Sequence, residues 1–231
     1  MEALTIVEAT PTSRRKVRMS YEEYLALPDE GIVEWVNGEV IFHVPTTPIH
    51  QDISILISAL LRFFVGHLHL GRVLTAPVEV KLWPGGPSRE PDILFVGHDK
   101  LAQIDDKRFN GAPDIVVEIV SPGSVTIDRV DKFREYERAG VGEYWIIDPR
   151  RQKEQADFYF RDEQGQFAPV DISDEGIYAS TLLPGFRLQI GWLWRPEAVD
   201  VQRALTGMLA DAPGLSAELR AVYREMARLL G

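Results

Sequence analysis

The chain has 231 residues, 45% of them apolar, with 25 Lys or Arg against 35 Asp or Glu and a formal charge of −10. That length suits one large soluble domain or a domain with an appendage, and the absence of cysteine excludes disulfide frameworks, thiolate zinc sites and a cysteine nucleophile. The acidity argues against a general electrostatic grip on nucleic acid, which draws its affinity from neutralised phosphates.

Residues 1–18 lack periodicity and are expected to form a mobile tail. Their basic cluster, Arg14, Arg15, Lys16 and Arg18, comes after a short broken apolar stretch, the reverse order of a secretory signal. No later segment reads as long and uncharged enough to span a bilayer, so with a cysteine-free composition the expected location is cytoplasmic. Ser20 and Glu23 stand at capping-box spacing before a short helix carrying Tyr21, Tyr24, Leu25 and Leu27, stopped by Pro28. Asn37-Gly38 joins two β-rich runs over 31–44, a hairpin signal. Ile49, Ile53, Leu56, Ile57, Leu60, Leu61 and Phe64 recur at helical spacing and require a covering sheet or partner.

Residues 72–83 and 89–97 read as strands separated by the turn Pro84-Gly85-Gly86-Pro87. Two Val/Ile-rich runs, 112–122 and 143–149, read as central strands covered on both faces, with a helix over 126–139 between them ended by Gly140. Strand, crossover helix and strand describe an α/β core. Residues 126–154 hold seven Lys/Arg against seven Asp/Glu, so a local electrostatic contact with nucleic acid stays open. Short β runs over 154–190 suggest a meander extending the sheet or forming an edge, and helical spacing returns over 196–231. The expected division is a tail at 1–18, a domain at 19–194 and a helical extension at 195–231.

Glu118, inside Ile115-Val116-Val117-Glu118-Ile119-Val120, is the most informative residue, because an unpaired carboxylate there would lose several kcal/mol of hydration or take up a proton. Asp92, in Pro91-Asp92-Ile93-Leu94-Phe95-Val96, poses the same question on an expected neighbouring strand. Two such acids can share a divalent cation and leave positions open for water and phosphate. Alternatively, Glu118 pairs with a buried Arg or Lys, or points out at a strand end. On the next helix Asp128, Lys132 and Tyr136 lie at i, i+4 and i+8 and share a face. Lys132 there can point at the carboxylates, or simply pair with Asp128 for a few tenths of a kcal/mol.

The ordered set Glu34-Trp35-Val36-Asn37-Gly38-Glu39, Pro48 to His50, Pro91-Asp92, Val116 to Pro122, Asp128 to Lys132 with Tyr136, and Gly140 to Pro149 resembles the Uma-two family of restriction-endonuclease-type proteins in the PD-(D/E)XK nuclease superfamily. The similarity runs from about Met19 to Trp194. It implies a restriction-endonuclease-like α/β (α+β) core, a mixed β-sheet flanked by helices, to which the sequence pattern adds an N-terminal hairpin and a C-terminal helical extension. It also implies metal-dependent phosphodiester hydrolysis with Asp92 and Glu118 as metal ligands. In the superfamily pattern a lysine stands two residues after the acid; here that position is Val120, and the resemblance moves the role to Lys132.

The leading expectation is a Mg²⁺- or Mn²⁺-dependent DNA endonuclease in which Asp92, Glu118 and the Ile119 carbonyl hold the cation and Lys132 stabilises phosphate charge. A non-catalytic module of the same fold competes with it, and a hydrolase for a small phosphate ester is a third reading. Glu34 and Glu39 flank a tight turn, where alternation favours solvated side chains, although one of them can complete a metal shell. His50 at a helix start can contact phosphate or a metal-bound water, or be structural. Lys81 is a reserve basic group, whereas His43, His67, His69 and His98 show no ligand spacing. Leu215, Leu219, Val222, Met226 and Leu229 give the C-terminal segment an apolar face that needs its own core or a second subunit, and a homodimer is expected.

Overall fold

The computed structural model describes residues 16–27, 33–42 and 46–230. Most of the expected tail, as well as Pro28 and His43, lies outside them. Its last three residues are a correction to that expectation: they form β1 (Lys16–Arg18), which pairs antiparallel with β3 (Glu39–Phe42). α1 (Tyr21–Leu25) starts at the expected capping box of Ser20 and Glu23. β2 (Val33–Val36) and β3 meet at Asn37-Gly38, whose φ values of 51° and 81° are the positive pair that a tight hairpin needs.

α2 (Pro48–His67) begins with Thr47 as its cap and Pro48 in its first turn. Contrary to the sequence expectation, its length and composition would allow it to cross a membrane. However, Ile53, Ile57, Leu60, Leu61 and Phe64 are fully buried in the main core, which is the arrangement of a central helix in a globular domain. Burial of each such side chain contributes roughly 1.5–3 kcal/mol, ample reason for the helix to dock on the sheet.

Two prolines divide the strand runs after α2. The run 72–83 is two strands rather than one: β4 (Gly71–Thr75) and β5 (Glu79–Lys81), interrupted around Pro77. Likewise Pro91 separates β6 (Ser88–Arg89) from β7 (Ile93–Gly97). Proline cannot donate to a ladder, so at each point the chain leaves one sheet for another. β5 and β6 join β8 (Arg108–Asn110) and the N-terminal strands in a sheet of order β1-β3-β2-β6-β5-β8. β4 and β7 belong to the central mixed sheet with β9 (Ile115–Ile119), β10 (Glu143–Asp148), β11 (Gln155–Arg161) and β12 (Phe167–Pro169), in the order β12-β11-β10-β9-β7-β4.

β9 and β10 are parallel, joined by a π-helical turn (Ile127–Lys132) and α3 (Phe133–Ala139), which ends at Gly140 with φ 94°. The meander extends the sheet as far as β12. β13 (Ile177–Ala179) and β14 (Arg187–Gln189) instead form a separate hairpin. One face of the central sheet, with Ile93, Phe95, Ile115, Val117 and Trp145, packs against α2. The other, with Leu94, Val96, Val116, Val120 and Tyr144, packs against Tyr136.

The chain closes with α4 (Ile190–Leu193), α5 (Val201–Leu209) and α6 (Ala217–Leu229). α5 buries Ala204, Leu205, Met208 and Leu209 in the main core beside α2. α6 packs on α5 without burying any residue fully, and leaves Val222 53% and Leu229 69% exposed.

Candidate active site

Pairing of β7 with β9 sets Ile93 opposite Val117. Continued by one residue, that register brings Asp92 level with Glu118, on the same side of the sheet as Leu94 and Val116. Glu118 is buried there. Its Oε1 accepts hydrogen bonds from Lys132 Nζ and from Tyr136 OH, each at 2.8 Å. Lys132 reaches it because the π turn directs Asp128 and Lys132 inward, and one α-helical turn further on Tyr136 lies on the same face. π turns of this kind cluster at functional sites.

The Lys132 ammonium is held by three carboxylates: Glu118 at 2.8 Å, Glu34 Oε1 at 3.2 Å and Asp128 Oδ1 at 3.5 Å. Glu34 corrects the sequence expectation. It is not a solvated turn residue but is 0% exposed, facing the cluster from β2 and paired also with Arg89 Nη1 at 3.2 Å. Arg89 in turn donates to the Glu135 carboxylate of α3, from Nε at 2.7 Å and from Nη2 at 2.8 Å. Alternation shows that two faces exist, but not that the second sheet and α3 cover this one. Glu39, by contrast, is the half-exposed residue expected, paired with Lys16 at 3.3 Å.

Asp92 stands at the margin with 15% of its side chain exposed. Its Oδ2 accepts the Ile119 N–H at 2.7 Å and lies 3.4 Å from His50 Nε2. His50 comes from the first turn of α2, and its Nδ1 is buried without a partner among the described residues. Lys81 points elsewhere, donating to the Gly86 carbonyl and lying 3.6 Å from the centre of the Tyr21 ring. Among the described residues no three His, Asp or Glu side chains converge as metal ligands.

Electrostatics reflect the crowding. Burial pushes the Glu118 carboxyl up; Lys132 opposes the shift, and Asp128, Asp92 and Glu34 add to it. Burial alone would lower Lys132, but Glu118, Glu34 and Asp128 together raise it, so the ammonium stays charged. Burial and then the neighbouring Glu118 raise Tyr136, keeping its hydroxyl a donor. Glu90, which sequence reasoning missed together with Arg89 and Glu135, is pushed up to about 8 by burial, against the Val33 N–H that it accepts and with Glu34 and Glu79 adding. Nothing in the turn-rich stretch around Ser88-Arg89-Glu90 signals burial. Its partners are 46 to 57 residues away in sequence.

A family model, Uma2, described as "Putative restriction endonuclease", matches residues 21–191. The chain belongs to the Uma2 family. Among solved structures, the Uma2 chain is similar to a "putative nuclease belonging to DUF820" from Anabaena variabilis, with a TM-score of 0.62 and 19% sequence identity. That similarity covers 77% of this chain and 98% of the other, and it supports the restriction-endonuclease-like fold. No curated protein matches. The matched span contains Glu34, Asp92, Glu118, Lys132 and Tyr136, and ends before α5 and α6.

Proposed function

We propose that this nuclease-family protein is a Mg²⁺- or Mn²⁺-dependent endonuclease acting on DNA, with Asp92 and Glu118 as its metal-binding acids. The observation that carries this reading is which oxygens are occupied. Among the described residues, the protein engages Glu118 through Oε1 and Asp92 through Oδ2, leaving Oε2 and Oδ1 without a protein hydrogen bond. Glu34, Glu118 and Asp128 surround Lys132 and Asp92 adds like charge beside Glu118, so an added divalent cation would offset a local excess of negative charge. Mg²⁺ is commonly held by one or two carboxylates with waters making up the rest, which suits two acids, the Ile119 carbonyl and solvent. When bound, such a cation supplies an activated water and neutralises phosphate charge.

The chain's own residues do the positioning. Tyr136 and Lys132 fix the Glu118 carboxylate, and the Ile119 N–H and His50 fix Asp92. Lys132, charged and preorganised, stabilises negative charge on the phosphate. Beside the ion cluster a cavity of about 410 Å³ is lined by Lys16, Arg89 and Arg134 together with Glu39, Asp131 and Glu135, a balanced set that fits weak, salt-sensitive DNA binding. A homodimer is part of the same proposal, supported by the exposed Val222 and Leu229 of α6; a monomer by light scattering at micromolar concentration removes it.

The test is plasmid nicking at low salt with Mg²⁺ or Mn²⁺. Asp92→Asn and Glu118→Gln are expected to lose nearly all cleavage, and Lys132→Ala about 10²–10³-fold of it while keeping metal binding. Cleavage surviving in Glu118→Gln points to a contaminant. A second reading, a non-catalytic module, is favoured by the three carboxylates already surrounding Lys132, and a wild type that neither cleaves nor binds metal decides for it.

A further inference from the structure

Where the family-matched span ends, a second cavity of about 720 Å³ lies between the β13–β14 hairpin and the start of the C-terminal extension. Its size falls within the range of small-molecule sites. Arg187, Arg195 and Arg203 line it together with Trp192 and Asp200. Arg187 is engaged, pairing with Asp211 at 2.8 Å. Among the described residues, the exposed Arg195 and Arg203 have no carboxylate within ion-pair distance, so the lining holds two unpaired guanidinium groups and one carboxylate, Asp200, in a chain of charge −10. Asp200 uses Oδ1 to cap α5 by accepting the Arg203 N–H at 3.0 Å, and its other oxygen can accept from a sugar hydroxyl. Ile177, Val199 and Met208 supply an apolar wall.

One residue is hard to explain by packing alone. Gly207 lies inside α5, where glycine costs roughly 0.5–1 kcal/mol relative to alanine. A Cβ there would meet nothing within 4 Å, so no close approach of neighbouring atoms requires a glycine. Its position in the cavity wall provides a reason: it leaves the space open.

We infer that this cavity binds a nucleoside phosphate, with Arg195 and Arg203 on the phosphate, Trp192 against the flat base and Asp200 toward the sugar. Guanidinium groups match phosphate geometry, an indole offers a stacking face, and a carboxylate is a natural acceptor for ribose hydroxyls. The inference does not depend on the nuclease reading, because the cavity shares no residue with the Asp92 and Glu118 cluster.

Equilibrium dialysis of the full chain against labelled adenosine 5′-monophosphate, in EDTA, tests it. Saturable binding is expected, with adenosine and inorganic phosphate each competing about ten-fold or more weakly. Arg195→Ala/Arg203→Ala and Gly207→Leu should each weaken binding by about ten-fold or more, the latter with an unchanged or higher melting temperature because the space is open. Asp92→Asn should bind as wild type does. Absence of saturable binding overturns the inference, as does equal competition by inorganic phosphate, or binding that survives both cavity variants or fails in Asp92→Asn.

Discussion

Glu118 and Glu143 are both buried glutamates on adjacent parallel strands, but they are held in opposite ways. Glu143, at the start of β10, faces the α2 side and receives six neutral donors: Trp145 Nε1, Tyr178 OH, Ser180 Oγ, the Thr181 N–H and Oγ1, and the Leu182 N–H, at 2.6–3.0 Å. Among the described residues no cation takes part, and both oxygens are engaged. Glu118 faces the other side, has an ammonium and one hydroxyl on a single oxygen, and is surrounded by further acids. A carboxylate saturated by dipoles ties β10 to the loop leading toward β14. One left with a spare oxygen among like charges is, under the proposal, the one that would take a cation.

The contrast can be broken by substitution. Glu143→Ala leaves several buried donors unpaired and should cost about 3–5 kcal/mol, read as a fall in chemical-denaturation midpoint with no change in metal response. Glu118→Gln in metal-free buffer removes charge from a crowded site and should be neutral or slightly stabilising. A large loss in that variant would make Glu118 a structural acid like Glu143. Next in size is the metal effect. Mg²⁺ or Mn²⁺ at about 100 times its dissociation constant should stabilise wild type by about 2.7 kcal/mol, seen as a rise in melting temperature. Asp92→Asn and Glu118→Gln should lose most of that rise and a correctly folded Glu143→Gln should keep it.

The smallest expected effect concerns pH. Glu90 has its folded value raised to about 8, so the folded state holds a proton that the unfolded chain has released once the pH exceeds its ordinary carboxyl value. Its ionisation therefore costs stability progressively from about pH 4.5 to 8, and nothing below that window. Glu90→Gln should accordingly stabilise at pH 8 and have little effect at pH 4.5, which paired thermal melts at the two values will show.

Why one acid of this pair could be read from sequence and the other could not is a matter of context. Glu118 interrupts an unbroken apolar run, and Lys132 and Tyr136 come after it at spacings that share a helix face, so local pattern alone brings them toward one another. Glu143 stands after Gly140-Val141-Gly142 and reads as an ordinary strand start, because its donors lie mostly 35 to 39 residues later. The hairpin at Asn37-Gly38 and the crossover helix carry local chemistry and were equally legible. Burial of Glu34 was not, since only the second sheet, created where Pro77 and Pro91 divert the chain, determines which face of β2 is covered. The arginines of the C-terminal cavity are likewise scattered over 187–203 without a motif.

The diversion of the chain at Pro77 and Pro91 also bears on the order of folding. Arg89 joins Glu34 and Glu135 across 55 and 46 residues, so its ion pairs can close only after both sheets and α3 are in place. Closing such long loops is entropically costly early on, whereas β9, the π turn, α3 and β10 are contiguous and can associate first. The Arg89 ion pairs are then expected to form late, after the rate-limiting transition state. Stopped-flow measurements on Arg89→Met should find faster unfolding with a nearly unchanged folding rate, and a slowed folding rate would instead place these pairs in the nucleus.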